Sequence, residues 1–179
     1  MVLDPPLPEL AAVGRSNVGK SSLLNALMGR KIAKVSGTPG KTRMMNVYLL
    51  PGLYLLDLPG YGWARASQTD QAAFRRLVAD VLHRPRLAGV LWLLDVRREP
   101  SDDDLATQDR LAARGTRVLA VVTKSDKVPP GQRVRREGAL RNTLALDEDQ
   151  IIVTSARTGS GIPELREAIA ALLGGGSVT

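Results

Sequence analysis

The chain has 179 residues, enough for one domain with a real core, and its 44% hydrophobic and 24% charged content is that of an ordinary globular protein. It holds no cysteine and one histidine, His83, which excludes disulfides, Cys-based metal sites and His clusters. The absence of a signal peptide or a membrane-length apolar run makes the cytoplasm the expected compartment. A net charge of +7, carried by 19 Arg against 6 Lys, fits either a solvated Arg-rich surface or a polyanionic partner, above all nucleic acid.

In chain order, residues 1–8 read as an extended, Pro-rich lead-in, followed by a strand over Glu9–Val13. The strand runs into Gly14, Arg15, Ser16, Asn17, Val18, Gly19, Lys20 and Ser21, which fit the phosphate-loop pattern G-x-x-x-x-G-K-[ST]. Ser22 then opens a helix to about Met28. Such a loop aims backbone N–H groups at an anion from a helix N-terminus. The pattern assigns Lys20 to the β- and γ-phosphates and the Ser21 hydroxyl to Mg²⁺. Asn17 reads as turn chemistry.

Arg30–Arg43 lacks apolar periodicity and contains Gly37 to Gly40, so it reads as a loop, long enough to suggest function. Met44–Leu50 and Leu53–Asp57 read as two strands joined at Pro51 and Gly52, and Leu58–Ser67 as a second loop. At the strand end, Asp57, Leu58, Pro59 and Gly60 form a D-x-x-G box. Asp57 is placed to reach Mg²⁺ through water, and Gly60 to offer its N–H to a γ-phosphate. Tyr61 and Trp63 read as loop aromatics anchored in a shallow pocket.

Gln71–His83 has helical spacing, with His83 as a cap beside the helix dipole. Ala88–Asp95 is a near-continuous apolar run, the mark of a strand covered on both faces. Ser101 with Asp102, Asp103 and Asp104 reads as a capped helix start, running to about Arg114, in preference to a metal site. Thr116–Thr123 is a further buried strand, Val134–Leu146 a basic helix, Gln150–Val153 a strand and Ile162–Leu173 the last helix. Residues 174–179 read as a tail. The alternation implies a three-layer α/β fold around a mostly parallel sheet, with one antiparallel strand at its edge. No linker marks a second domain.

Thr123, Lys124, Ser125 and Asp126 follow the next-to-last strand on the ligand-bearing edge. A carboxylate there accepts the adjacent N1–H and amine of guanine, and adenine lacks that donor pair. The Lys124 stem is placed to lie across the nucleotide ring. Thr154, Ser155 and Ala156 follow the final strand, where a backbone N–H suits guanine O6.

These boxes, in this order, resemble the translation-factor-related GTPases and, within them, the EngB family of bacterial ribosome-assembly GTPases. The resemblance spans about Pro8 to Leu173. It is carried by Gly14–Ser22, Thr38–Arg43 (T-P-G-K-T-R), Asp57–Gly62 (D-L-P-G-Y-G), Leu94–Arg97 (L-D-V-R) and Thr123–Asp126. It implies that Gly40, Lys41, Thr42, Arg43 and Met44 border the nucleotide. Thr42 would then be the switch threonine on Mg²⁺; spacing alone also allows Thr38. It further implies GTP/GDP binding with Mg²⁺, a potassium ion that can accompany Asn17, and Tyr61 standing where many GTPases carry a water-orienting glutamine, so that hydrolysis is expected to be slow. The implied role is a slow, monomeric switch that acts off the membrane in large-subunit assembly and is linked to cell division. Arg133, Arg135, Arg136 and Arg141 on one helix, and Arg65, Arg75 and Arg76 after the second loop, suit rRNA phosphates. The competing reading is a GTPase acting through a protein or RNA-modification partner. An ATP-using kinase is disfavoured by Asp126.

Overall fold

The computed structural model describes residues 2–29, 33–35, 45–62 and 67–174. Its elements are β1 (Glu9–Gly14), α1 (Lys20–Met28), β2 (Ala33–Val35), β3 (Asn46–Leu50), β4 (Leu53–Asp57), α2 (Gln68–Leu82), β5 (Leu87–Asp95), α3 (Asp102–Ala112), β6 (Val118–Thr123), α4 (Pro130–Leu144), β7 (Ile151–Val153) and α5 (Ile162–Leu172). They build one seven-stranded sheet in the order β2-β3-β4-β1-β5-β6-β7. The β4-β1-β5-β6-β7 portion is parallel throughout, while β3 is antiparallel to both of its neighbours.

The expected α/β architecture holds, with the antiparallel strand near the predicted edge. The edge itself is β2, inside the stretch read as loop. Three residues are too few to display a strand alternation, and their ladder comes from β3, with Ala33 opposite Leu49 and Val35 opposite Val47. The remainder of Arg30–Met44, including Gly40, Lys41, Thr42 and Arg43, lies outside the described residues, as do Trp63 and Arg65.

Strand β5 shows why its sequence is a continuous apolar run. Trp92 and Leu94 enter one core beside Phe74, Leu77, Val78 and Val81 of α2, Leu111 of α3, and Leu140 and Leu144 of α4. Leu91 and Leu93, one residue out of phase, enter the other core beside Leu23 and Leu24 of α1 and Leu165 and Ile169 of α5. A strand buried on both faces needs apolar residues at every position, because its side chains alternate.

Two helices begin earlier than their apolar spacing suggests. In α2 the cap is Ser67: its Oγ accepts from the Asp70 N–H at 3.1 Å, and its own N–H donates to Asp70 Oδ2 at 3.0 Å. In α4, Pro130 occupies the first turn, where its missing N–H costs nothing, and Ala145 in the left-handed region ends the helix at Leu144. Ser101 and Asp104 form a second capping box at the start of α3, as the capped-start reading of the aspartates requires. His83 closes α2, with Nδ1 2.6 Å from the Ala79 carbonyl oxygen.

Candidate nucleotide site

The five parallel strands all end at one edge of the sheet, and the loops that leave them carry the boxes read from the sequence, apart from Thr38–Arg43, which lies outside the described residues. Between β1 and α1 the phosphate loop is shaped by backbone that ordinary residues avoid: Asn17 has φ 63° and Gly19 φ 97°. The left-handed Asn17 accords with its turn-forming role. Gly14 has no room for a side chain, since a Cβ would stand 2.9 Å from Leu93 Cβ and 3.0 Å from the Leu93 carbonyl oxygen. Lys20, the first residue of α1, places its ammonium on Asp57 Oδ1 at the end of β4.

The D-x-x-G segment is stitched to that loop by main chain. The Ser16 N–H donates to the Tyr61 carbonyl at 2.8 Å, and the Tyr61 N–H to the Gly14 carbonyl at 3.2 Å. Gly60 is therefore required for a reason that the sequence did not expose. A Cβ there would lie 2.7 Å from Ser16 Cα and 2.8 Å from Ser16 N. Leu58 donates from its N–H to the Ala12 carbonyl at 3.0 Å, extending the β1–β4 pairing to the box itself.

Tyr61 turns inward. It is 7% exposed, and its hydroxyl donates to Asp104 Oδ1 at 2.6 Å while accepting from Trp92 Nε1 at 3.0 Å. Its ring sits 5.6 Å from that of Phe74. Burial, together with the Asp104 carboxylate, pushes the phenol pKa up, so the hydroxyl stays protonated. The hydroxyl is thus anchored inside the fold, which is compatible with the ring standing at the glutamine position. Asp104 Oδ2 meanwhile accepts from the Ser101 N–H at 2.8 Å and from Ser101 Oγ at 2.7 Å, and it lies 3.9 Å from Arg15 Nη1. One carboxylate thus caps α3, anchors Tyr61 and neighbours the phosphate loop. The capping role was legible in the spacing, but the other two were not.

On the far side of the phosphate loop, Lys124 adopts φ 62° and reaches back over Gly19, whose Cβ would come 3.3 Å from Lys124 Cε. Its Nζ donates to the Asn17 carbonyl at 2.5 Å and lies 3.2 Å from Asp95 Oδ2. Thr123 Oγ1 is 2.6 Å from the Val18 carbonyl oxygen. Asp95 is gripped by Arg97, which donates from Nε to Oδ1 at 2.9 Å and from Nη2 to Oδ2 at 2.7 Å. Burial raises the Asp95 pKa, but the Arg97 and Lys124 bonds outweigh it and hold the value at about 2. This pairing gives a structural task to the L-D-V-R motif.

Asp126 accepts from Arg157 Nε on Oδ2 and from Ser155 Oγ on Oδ1, each at 2.7 Å. Those bonds, Arg157 first, lower its pKa to about 2. Thr154 and Ser155 are fully buried, and the Ser125 N–H donates to the Thr154 carbonyl at 3.1 Å, so the loops after β6 and β7 are joined. Arg157 was not singled out in the sequence, although it directly follows Ala156; its partner lies 31 residues away.

The site therefore brings together Gly14–Ser22, Asp57–Gly60, Thr123–Asp126 and Thr154–Ala156. Ser21 is exposed and follows Lys20, whose ammonium rests on the Asp57 carboxylate; a hydroxyl and a carboxylate are oxygen donors of the kind that a hard divalent cation takes. Of the predicted basic residues, Arg75, Arg76 and Arg135 are exposed. Three others make internal contacts: Arg133 Nε donates to the Val128 carbonyl at 3.1 Å, Arg136 lies 3.5 Å from Glu99, and Arg141 lies 2.9 Å from Glu148.

A lysine-bearing phosphate loop between strand and helix, stitched to a D-x-x-G segment and flanked by a T-K-x-D loop, on a sheet of this order, defines a P-loop GTPase. Residues 9–124 match the family described as 50S ribosome-binding GTPase. The chain is 49% identical over 170 residues to the probable GTP-binding protein EngB of Gemmatimonas aurantiaca, covering 93% of this chain and 83% of that one. It is 40% identical over 167 residues to the Bacillus subtilis counterpart, covering 91% and 86%. The chain belongs to the EngB family of GTP-binding proteins, and it is a GTPase. Among solved structures, a probable GTP-binding protein EngB superposes with a TM-score of 0.75 at 21% identity, covering 92% of this chain and 98% of that one. Era of Aquifex aeolicus bound to GDP and aluminium fluoride superposes with a TM-score of 0.68 at 24% identity, covering 94% and 57%. GTP/GDP binding, typically with Mg²⁺, follows from the family.

Proposed function

We propose that this GTPase is a slow, nucleotide-gated switch that docks on the large ribosomal subunit during its assembly. Within the site, Lys20 takes the β- and γ-phosphates, Ser21, Thr42 and Asp57 hold Mg²⁺, and Gly60 offers its N–H to the γ-phosphate. Asp126 reads the N1–H and amine of guanine, with the Ala156 N–H on O6. When bound, Mg²⁺ neutralises charge between the β- and γ-phosphates. Slow turnover is supported by Tyr61, whose hydroxyl is committed to Asp104 and leaves no glutamine-like group at that position. A potassium ion beside Asn17 would appear as hydrolysis faster in KCl than in NaCl.

The observation that carries the docking reading is the outer face of α4. Val134 is 79% exposed there and Arg135 beside it is exposed as well, while Arg133 and Arg136 are half-buried and engaged on Val128 and Glu99. With the exposed Arg75 and Arg76 of α2, Arg135 supplies solvent-facing guanidinium groups of the kind that contact rRNA phosphates. The test is co-sedimentation with large subunits in the presence of a non-hydrolysable GTP analogue, GDP or no nucleotide, over a salt series. Binding is expected to be strongest with the analogue and to fall steeply with salt. Arg135→Glu should weaken it without changing nucleotide affinity. Indifference to both nucleotide and salt would remove the ribosome reading and favour a protein or RNA-modification partner.

A further inference from the structure

We infer that Arg157 is a specificity-determining residue that acts through Asp126, fixing the carboxylate so that only its guanine-facing lone pairs stay free. This rests on the reading of Asp126 as the guanine acceptor. An ionised carboxylate offers about four lone-pair sites, two on each oxygen. Ser155 Oγ takes one on Oδ1 and Arg157 Nε takes one on Oδ2, both at 2.7 Å. One site per oxygen remains, which matches the two adjacent donors of guanine.

The Ser155 bond has its polarity set from behind. Ser155 Oγ accepts from the Thr158 N–H at 3.2 Å, which commits its own hydrogen to Asp126. The Ser155 main chain is held in turn, its N–H donating to the Ser160 carbonyl at 2.9 Å and its carbonyl accepting from the Gly159 N–H at 2.9 Å. One fixed donor cannot stop a carboxylate from turning about its Cβ–Cγ bond; a second donor on the other oxygen can. Among the described residues Arg157 is the one cation within ion-pair distance of Asp126, since Arg97 and Lys124 are engaged on Asp95. The contact is also asymmetric in exposure. The Asp126 side chain is 6% exposed and that of Arg157 67%, so the arginine reaches in from solvent to a shielded charge. Removing it leaves that carboxylate held by Ser155 on one oxygen, so its base-reading geometry is what the substitution tests.

The test is a double-mutant cycle with an orthogonal base. Asp126→Asn turns one acceptor into a donor, which suits the carbonyl that xanthine carries in place of the guanine amine. Its neutral carboxamide no longer forms an ion pair with Arg157. Affinities for GTP, GDP and inosine triphosphate are measured for the native protein, Arg157→Ala and Arg157→Lys. Affinity for xanthosine triphosphate is measured for Asp126→Asn with and without Arg157→Ala. The expected result is a loss of about tenfold for GTP and GDP alike in Arg157→Ala. Inosine, which lacks the amine, should lose less, and Arg157→Lys should recover part of the loss. In the Asp126→Asn background, Arg157→Ala should change xanthosine triphosphate binding by less than about threefold. The inference is overturned if Arg157→Ala leaves GTP affinity intact, or if it weakens GTP but not GDP. It is overturned equally if the full loss persists in the Asp126→Asn background. If Asp126→Asn retains the native GTP preference, the guanine-reading assignment itself falls, a failure visible without any Arg157 variant.

Discussion

Tyr61→Phe separates an anchoring role from a catalytic one, because it deletes one oxygen and keeps the ring. That oxygen donates to Asp104 Oδ1 at 2.6 Å and accepts from Trp92 Nε1 at 3.0 Å, and Trp92 is fully buried. Its removal costs a hydrogen bond to a charged acceptor and strands a buried indole N–H. The two losses share one hydroxyl, so they do not simply add; together they amount to about 3 kcal/mol. For a chain of this size that lowers Tm by roughly 6–12 °C, from a total stability of about 5–15 kcal/mol, so the variant stays folded at 25 °C. The ring that remains keeps its packing against Phe74, and Asp104 keeps both bonds from Ser101. Thermal and urea denaturation of the nucleotide-free protein should show the loss, while single-turnover GTP hydrolysis at 25 °C stays within about twofold of the native rate. A tenfold or larger drop in hydrolysis with unchanged stability would place the hydroxyl on the attacking water and refute the anchoring argument.

Gly60→Ala brings a methyl group 2.7 Å from Ser16 Cα, so the D-x-x-G segment must move off the phosphate loop; GTP hydrolysis should fall at least about tenfold, and GDP affinity less, by radiometric turnover and calorimetric titration. Asp95→Asn removes the charge that holds Lys124 at 3.2 Å and should weaken GTP and GDP by a similar factor, about tenfold, without altering the preference for guanine over xanthine. Asp95 and Asp126 both have folded pKa values of about 2, against an unfolded value of about 3.9. Their contribution to stability is therefore complete above about pH 4 and lost as pH falls toward 2, and acid titration of Asp126→Asn should show a shallower loss over that window than the native protein.

What the sequence made legible was local. The run Ala88–Asp95 announced a doubly covered strand, and the first-turn aspartates after Ser101 announced a cap, because in both cases cause and consequence lie within a few residues. Strand β2 was hidden, since its pairing partner, not its own three residues, makes it a strand. The start of α2 was hidden because Ser67 and Asp70 set it by capping, ahead of the first apolar turn. At the site, the types and order of the boxes were readable, but not what supports them. Tyr61 looked like a failed glutamine, and its partners Trp92 and Asp104 stand 31 and 43 residues away. The carboxylate of Asp126 was visible, whereas the arginine that orients it was one surface arginine among 19.

The supports divide the site into two halves held in different ways. On the base side, two residues other than glycine, Asn17 and Lys124, sit in the left-handed region, a conformation that costs energy and persists only where surrounding bonds enforce it. The enforcing bonds join them to each other: Lys124 Nζ to the Asn17 carbonyl at 2.5 Å, backed by Thr123 Oγ1 on Val18 and by the Asp95–Arg97 pair. Base loop and phosphate loop are therefore one preorganised unit, which suits contacts common to GTP and GDP. On the γ-phosphate side the union is made by two backbone bonds between Tyr61 and the loop at Ser16 and Gly14, and by the Lys20 ammonium on Asp57. Behind that seam stands the Tyr61 hydroxyl on Asp104, and through it the first turn of α3. A ligand can shift an equilibrium only through contacts that differ between two states. If Gly60 reads the γ-phosphate as proposed, the seam at Tyr61 is where that difference would arise, and α3, joined to it through Asp104, would be the first described element to feel it.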